Sequence, residues 1–451
     1  MSKVKILFLL LLMQTLLFAQ GKVLEGYIQN ALENNLALQQ KKYSLEKSIA
    51  ALKEARALFL PSVSLEARYS RAGGGRDIEF PVGDLLNPVY STLNALLSTQ
   101  QFPTLENEVI PFLREEEHET KLRLVQPIFQ PAIYYNYKIK DNLVSADSAA
   151  WAAYKMELIS DIKSAYYNYL QATKATQIYL NALNLVDENL KISESLVENG
   201  MATKDVLYRA RSEKMRIQQQ ITAAQRQQNN SQNYFNFLLN HGLNESIIPD
   251  SVFAENSLAE FTAESAAEKA IASRNEIHQI DQALEARRQA VSIGTARFLP
   301  QVNVVVDYGF QGEKYRFTQK DDYWMASALL SWNLFNGFGD KAKREQAVLE
   351  YKSLKNDLSQ IKQQIRLQAH DAVWAVQESE KQLLQSREQL KAAKEVYKIV
   401  EKKYRQGMVT HIEMIDAATS LTNAEITNNI NKFEILKRQG HLKQVLGIEG
   451  V

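Results

Sequence analysis

Two stretches decide how this chain reads: "ALFLPSVSLEARYS" at residues 57 to 70 and "ARFLPQVNVVVDYG" at residues 296 to 309. Phe59, Leu60, Pro61, Val63 and Tyr69 return as Phe298, Leu299, Pro300, Val302 and Tyr308, each 239 positions later. A match on that scale marks a chain built from two copies of one unit, the first over 20–250 and the second over 251–451. After each proline the residues alternate. Val63, Leu65, Ala67 and Tyr69 take one face while Ser62, Ser64, Glu66 and Arg68 take the other; Val302, Val304, Val306 and Tyr308 oppose Gln301, Asn303 and Asp307. A period of two with one apolar face is a strand wetted on one side. Proline lacks the N–H and clashes with a preceding helical turn, so Pro61 and Pro300 read as hinges where a helix hands over to a strand.

Each strand has a candidate partner, "KLRLVQPIF" at 121 to 129 and "WMASALLSWNLF" at 324 to 335, giving strand hairpins over 61–129 and 300–335. In the second, Trp324 and Trp332 bracket Ala326, Ala328 and Leu330 on one face, as the aromatic girdles of a membrane barrel do. For any single strand an ordinary sheet packed on a core explains as much. The first hairpin carries a long loop over 71–120, since Tyr69 to Leu122 spans 53 positions and Tyr308 to Ala328 only 20. That loop either narrows an exit or is a tolerated insertion.

Punctuation places the helices. From Ala132 to His241 there is no proline and one glycine, Gly200; from Asp340 to Gln439 there is again no proline and one glycine, Gly407. Glycine and proline are the strongest helix breakers. Two such stretches, each with one break at a matching place, read as long helical hairpins with tips near 200 and 407. Val376, Leu383, Leu390, Tyr397 and Tyr404 are spaced by sevens, and 207 positions earlier Tyr169, Thr176, Leu183, Leu190 and Val197 keep the same phase. A helix from 132 to 197 would run ~100 Å at 1.5 Å per residue, which suits a rod, a coiled coil or a tube.

Composition excludes other classes. Lysine plus arginine number 53 against 52 aspartates and glutamates, so no net charge argues for nucleic acid. With no cysteine there are no disulfides or thiolate metal sites. Lys3 and Lys5 before an apolar run from Ile6 to Met13, with Ala19 ahead of Gln20, lay out a secretory signal peptide over 1–19. No later stretch approaches the ~20 apolar residues of a spanning helix, so an exported chain of this kind meets a membrane through strands or not at all.

Four strands cannot close alone, and open edges in hydrocarbon leave backbone groups unpaired. Two copies would give eight strands and three would give twelve. An eight-stranded barrel is filled by its own side chains, whereas a face carrying Glu66, Arg68 and Asp307 suits water, which favours three.

With the duplicated "FLP", "QPIF" and "NLFNG" at the strand-to-helix exits, and the tips "VENGMATKDVLYRA" and "YRQGMVTHIEMIDAATSLTNAE", the chain resembles the TolC-like outer-membrane efflux proteins over nearly all of its mature length. The resemblance implies an α+β membrane protein of the cell outer membrane, a homotrimer with two internal structural repeats per subunit. Long antiparallel α-helical hairpins would form a periplasmic tube, and four β-strands per subunit a shared twelve-stranded transmembrane β-barrel bathed in outer-membrane lipid. It implies as partners a periplasmic adaptor protein and an inner-membrane pump of the RND or ABC type, with no nucleic acid. The duct would conduct passively and stay shut at its periplasmic tip until docked. Export of small molecules, type I protein secretion and metal-ion export remain alternatives, as does an exported periplasmic coiled-coil protein of structural role.

Glu413 and Asp416, three apart on one helix face, match the acidic constriction of the family and would gather six carboxylates in a trimer; as exposed helix carboxylates they also need no special role. Tyr404 matches a tyrosine that tethers the closed tip, and equally fits core packing in its heptad row. The turns Gly200-Met201-Ala202-Thr203 and Gly407-Met408-Val409-Thr410 are implied adaptor-docking surfaces, although glycine for the turn and threonine for the cap explain them structurally. Val409 stands where the family has an arginine. No P-loop or G-x-S-x-G is present, "NGFGD" offers only two glycines of a dinucleotide fingerprint, and the six histidines include no pair at a metal-binding interval. "REEEHE" at 114 to 119 reads as a solvated charge run. No enzyme, cofactor or bound metal is expected.

Overall fold

The computed structural model describes residues 22–98, 100–250 and 261–448; the expected signal peptide at 1–19 and the expected repeat boundary at 250/251 fall outside or at the edge of them. By contacts the chain divides into two compact units that cut across the sequence halves, one drawn from 1–50, 140–288 and 349–451, the other from 51–139 and 289–348.

The first unit is helical. Its elements are α1 (Lys22–Asn34), α2 (Leu36–Ala57), α4 (Pro131–Glu198), α5 (Lys204–Leu239), α6 (Ala263–Ser273), α7 (Asn275–Ala296), α8 (Gly339–Arg405) and α9 (His411–Val445), several of which also run into the second unit. α4 and α8 hold 68 and 67 residues, as the absence of proline and glycine requires. Ile28, Leu158, Ile162, Tyr166, Phe235 and Leu239 form one buried cluster, with the rings of Tyr27 and Phe235 edge to face at 5.1 Å. The Tyr166 hydroxyl donates to the Ile248 carbonyl and accepts from the Asp250 amide, and burial pushes its pKa up to about 12. A second cluster sets Ala266, Ala267 and Ala270 against Ala369, Ala372 and Val373, where small side chains let backbones approach closely. Asn35 breaks α1 from α2: its side chain caps the Leu38 amide and donates to the Leu238 carbonyl. Arg274, 239 positions later, breaks α6 from α7 and is paired with Glu276.

The second unit holds a four-stranded antiparallel sheet in the order β1 (Ser62–Arg71), β4 (Glu116–Phe129), β5 (Gln301–Gly312), β6 (Asp322–Ser331). Leu65, Leu122, Tyr308 and Trp324 lie in one row across it. That face is apolar and uncovered: Val63, Leu65, Tyr69, Leu122, Trp324 and Leu330 are all exposed. The other face carries charge. Arg123 clamps the buried Asp307 with two bonds of 2.8 Å and also meets Glu66 at 3.3 Å, while Glu119 receives Lys121 at 2.9 Å and the Tyr323 hydroxyl at 2.6 Å. Among the described residues, β1 and β6 each have one edge without a partner strand.

The hinges are built alike. Phe59 N donates to Arg56 O and Leu60 N to Ala57 O; Phe298 N donates to Thr295 O and Leu299 N to Ala296 O. Pro61 and Pro300 come next, and the ladders start at Ser62 and Gln301. In both places a side chain from across the sheet closes the phenylalanine carbonyl, Gln126 on Phe59 and Trp332 on Phe298.

Three expectations are corrected. β6 ends at Ser331 and not at 335, so Trp332 stands just past the strand with its indole N–H on the Phe298 carbonyl, while Trp324 lies exposed within β6. β4 begins at Glu116, so "REEEHE" is largely strand and not a solvated loop, because Glu119 pairs across the sheet and His118 is buried beneath Tyr315 at 4.5 Å. Inside the expected loop 71–120 lie β2 (Asp77–Phe80), α3 (Val82–Leu97) and β3 (Glu108–Pro111), with β2 and β3 paired.

A β-carbon on Gly309 would sit 2.5 Å from the Thr120 carbonyl and 2.7 Å from the Lys121 backbone. Gly309→Ala should therefore loosen the β4–β5 ladder and cut the yield of folded protein, while Ser327→Ala on β6 should not. Equal yields and equal melting temperatures for the two variants would disprove this close approach.

Candidate functional site

The polar groups singled out by sequence gather at the hairpin tips. α4 and α8 end in the same motif. Gly200 and Gly407 both take φ of 70°, the left-handed region that glycine alone enters freely. Met201 N returns to Leu196 O at 2.8 Å and Gly200 N to Val197 O at 3.1 Å; Met408 N returns to Lys403 O at 2.9 Å and Gly407 N to Tyr404 O at 3.0 Å. These are Schellman closures, in which the turn amides satisfy the last helical carbonyls. Ala202 and Val409 tuck in, while Met201 and Met408 are left 70% and 69% exposed. Each tip thus presents a flexible, polarizable thioether to solvent. The Val409 side chain packs against the cluster beneath the tip, filling with apolar contact the place expected of an arginine.

The returning helices start differently. Thr410 caps α9: the Glu413 amide donates to its Oγ1 at 3.3 Å, and Glu413 Oε2 accepts from the Thr410 amide at 2.7 Å. This is a reciprocal capping box, and those bonds hold the Glu413 carboxyl below its ordinary range. Thr203 has no such bond to the third residue of α5, where Val206 stands; its hydroxyl meets Asp205 instead. Glu413 and Asp416 are both exposed on α9. Glu413 therefore has a structural duty that its place in an acidic pair did not announce.

Tyr404 is buried with Tyr397, Met414, Ala417, Ala418 and Leu421. Its hydroxyl lies 3.0 Å from His411 Nδ1 and 3.4 Å from Ser193 Oγ on α4. The side chain is thus packed in the cluster while its hydroxyl reaches a serine of the first hairpin. Neither His411 nor Ser193 stands out in the sequence. Metal spacing says nothing of His411, yet it sits seven residues past Tyr404 across the turn, and a lone serine in the heptad row marks the place where a hydroxyl could be received. His411 is buried with its Nε2 unpartnered. Burial, aided by the nearby Arg209 and opposed by Asp205, pushes its pKa below the ordinary histidine value. Among the described residues no group of three or more metal-ligating side chains converges.

Residues 266–448 match the model of a family described as outer membrane efflux protein. Over 300 residues the chain is 20% identical to the probable efflux pump outer membrane protein TtgC of Pseudomonas putida, a match covering 65% of this chain and 61% of that protein. The chain thus spans about three-fifths of the length of the curated relatives it matches. The Campylobacter jejuni CmeC outer membrane channel superposes with a TM-score of 0.79 at 17% identity, over 95% of this chain and 86% of that one. VceC of Vibrio cholerae, an outer membrane protein, gives 0.78 at 16%, over 94% and 96%. The fold is that of the outer-membrane channels, and the resemblance drawn from the paired hinges and tips is borne out.

The tip geometry has consequences that can be measured. A buried neutral histidine makes the folded tip bind fewer protons than the unfolded chain, so tip stability falls as pH drops below the ordinary histidine pKa of ~6.5. Amide exchange around residues 404–414, corrected for intrinsic rates, should quicken on acidification in the parent and lose that dependence in His411→Gln. A pH-independent parent would exclude the histidine as the cause. Nothing lies within 4 Å of a β-carbon built on either tip glycine, so Gly200→Ala and Gly407→Ala should each cost only the left-handed strain, about 1 kcal/mol, measured as equal small losses in thermal stability.

Proposed function

We propose that this chain is the outer-membrane exit duct of a tripartite efflux system, three copies closing one twelve-stranded β-barrel that continues as an α-helical tube into the periplasm. The observation that carries it is the sheet. Among the described residues it has four antiparallel strands, an exposed apolar face, a charged opposite face and two edges without a partner strand. In hydrocarbon each unpaired backbone group costs several kcal/mol, so the edges of β1 and β6 must meet other copies. Glu66, Arg68, Glu119, Lys121, Arg123 and Asp307 crowd the other face, and a wide aqueous lumen accommodates them where a filled eight-stranded barrel does not. The hinges 239 positions apart and tips 207 apart support two structural repeats per subunit. The match to the efflux family over the second half and the whole-chain likeness to channel structures support the same reading.

On this reading the duct conducts passively, and selection of cargo falls to an inner-membrane pump of the RND or ABC type. The tips receive a periplasmic adaptor, with Met201 and Met408 as the exposed apolar contacts. Asp416 and Glu413 ring the entrance, six carboxylates that draw cations inward and hold divalent ions. The Tyr404–His411–Ser193 contact ties the second hairpin to the first in the closed state.

The decisive test is mass and shape in detergent. A trimer with a long hollow stalk is expected; a water-soluble monomer or dimer would overturn the duct. Asp416→Asn removes charge without touching the capping box, so it should lower cation selectivity and divalent block in single-channel records. Unchanged selectivity would remove Asp416 from the gate. Met201→Glu with Met408→Glu should abolish export while leaving the trimer and its amount in the membrane unchanged; export at the parental level would move docking elsewhere.

A further inference from the structure

The insertion between β1 and β4 holds a helix turned the unusual way out. Along α3 the residues Val82, Leu86, Val89, Leu93 and Leu96 are spaced four, three, four and three apart, the seam of a coiled coil. Leu85 and Leu97 flank that seam, and Leu85, Val89 and Leu96 are 66%, 52% and 76% exposed. The face the chain does cover is polar. Asn87 donates to the Leu105 carbonyl at 2.9 Å and accepts from the Leu105 amide at 2.8 Å, and Asn94 does the same with Phe102 at 2.8 and 3.2 Å. These two asparagines, seven apart, strap residues 102–107 to one side of the helix like a strand ladder. At the helix start the strap presses so close that a β-carbon on Gly83 would lie 2.4 Å from the Leu105 carbonyl. The strap fixes which way the leucines point, and among the described residues nothing covers them fully.

Charge and position choose the occupant. From Asp77 to Leu113 there is no lysine, arginine or histidine, against Asp77, Glu79, Asp84, Glu106 and Glu108. A helix that lies on an anionic membrane surface carries cations beside its apolar face; this one carries none. Glu79 and Asp84 are instead gathered on Asn107, on the strap side. The insertion leaves from the end of β1, whose outer edge is unpaired, and its base continues that ladder through the Ala72 amide on the Glu115 carbonyl at 2.9 Å. It therefore stands beside the seam where another copy must join.

We propose that α3 packs its leucine seam against the same seam of the neighbouring copies, making a three-helix cap over the outer mouth of the duct. This rests on the trimeric reading. The cap is a second closure, remote from the periplasmic tips, held by neutral self-complementary contacts that part when cargo leaves.

The chain has no cysteine of its own, which makes the test clean. Val89→Cys in the full-length protein, oxidised in isolated outer membranes, should give a covalent dimer as the main band, since a disulfide needs Cα atoms within about 7 Å. Ser91→Cys, on the opposite face, should give none. Channel conductance of Val89→Cys should fall several-fold on oxidation and recover on reduction. Leu96→Trp should resist quenching by brominated phospholipid. A trimeric mass with no Val89 dimer, or with strong quenching at Leu96→Trp, would overturn the cap and leave the duct standing. A monomeric mass would overturn the trimer and the cap together.

Discussion

Backbone hydrogen bonding at the edges of a sheet is the constraint on which everything else in this chain depends. A strand edge in water is solvated; in hydrocarbon it has no partner but another strand. On the proposed reading, with no further strand beside β1 or β6 among the described residues and the Leu65–Leu122–Tyr308–Trp324 face apolar and open, assembly is part of folding. The charged face is neutralised both across and along the strands. Arg123 on Asp307 and Lys121 on Glu119 let a polar wall exist without isolated charges.

The hinges show how one sequence device serves two folds in series. A helix ending in Phe-Leu-Pro exhausts its hydrogen bonds in two tight i→i−3 turns and then enters a strand with proline at the point where no N–H is wanted. The remaining phenylalanine carbonyl is met by whatever donor the facing strand can supply, an amide in one place and an indole in the other. Geometry is kept while chemistry varies. The tips do likewise: identical Schellman closures, yet a full capping box at Thr410 and none at Thr203.

Features governed by local chemistry were legible in the sequence. Absence of proline and glycine over a hundred residues leaves little but helix, Gly200 and Gly407 announce the turns, and alternation after Pro61 and Pro300 announces the strands. Features that depend on partners distant in sequence were not. Glu116 to Glu119 reads as solvated loop because the Tyr323 hydroxyl that meets Glu119 comes from β6, 204 positions on. α3 hid inside a glycine- and proline-bearing insertion, with Pro88 in its own interior. Trp332 continued the strand's alternation, but its indole was claimed by the hinge. The pairing of Tyr404 with His411 needed the turn to be folded before the two residues were neighbours.

The matched helix lengths carry a consequence for how such a chain can change over generations. α4 and α8 differ by one residue, 68 against 67, and so do α5 and α9, 36 against 35. A residue gained in any one of them rotates everything beyond it by about 100° and turns buried heptad positions outward. A single insertion inside one of them therefore disturbs packing unless the helix absorbs the extra residue locally, whereas a gain of whole heptads keeps the buried row in phase. The reach of the hairpins is thus most easily altered in steps of a heptad, because register holds the buried row in place.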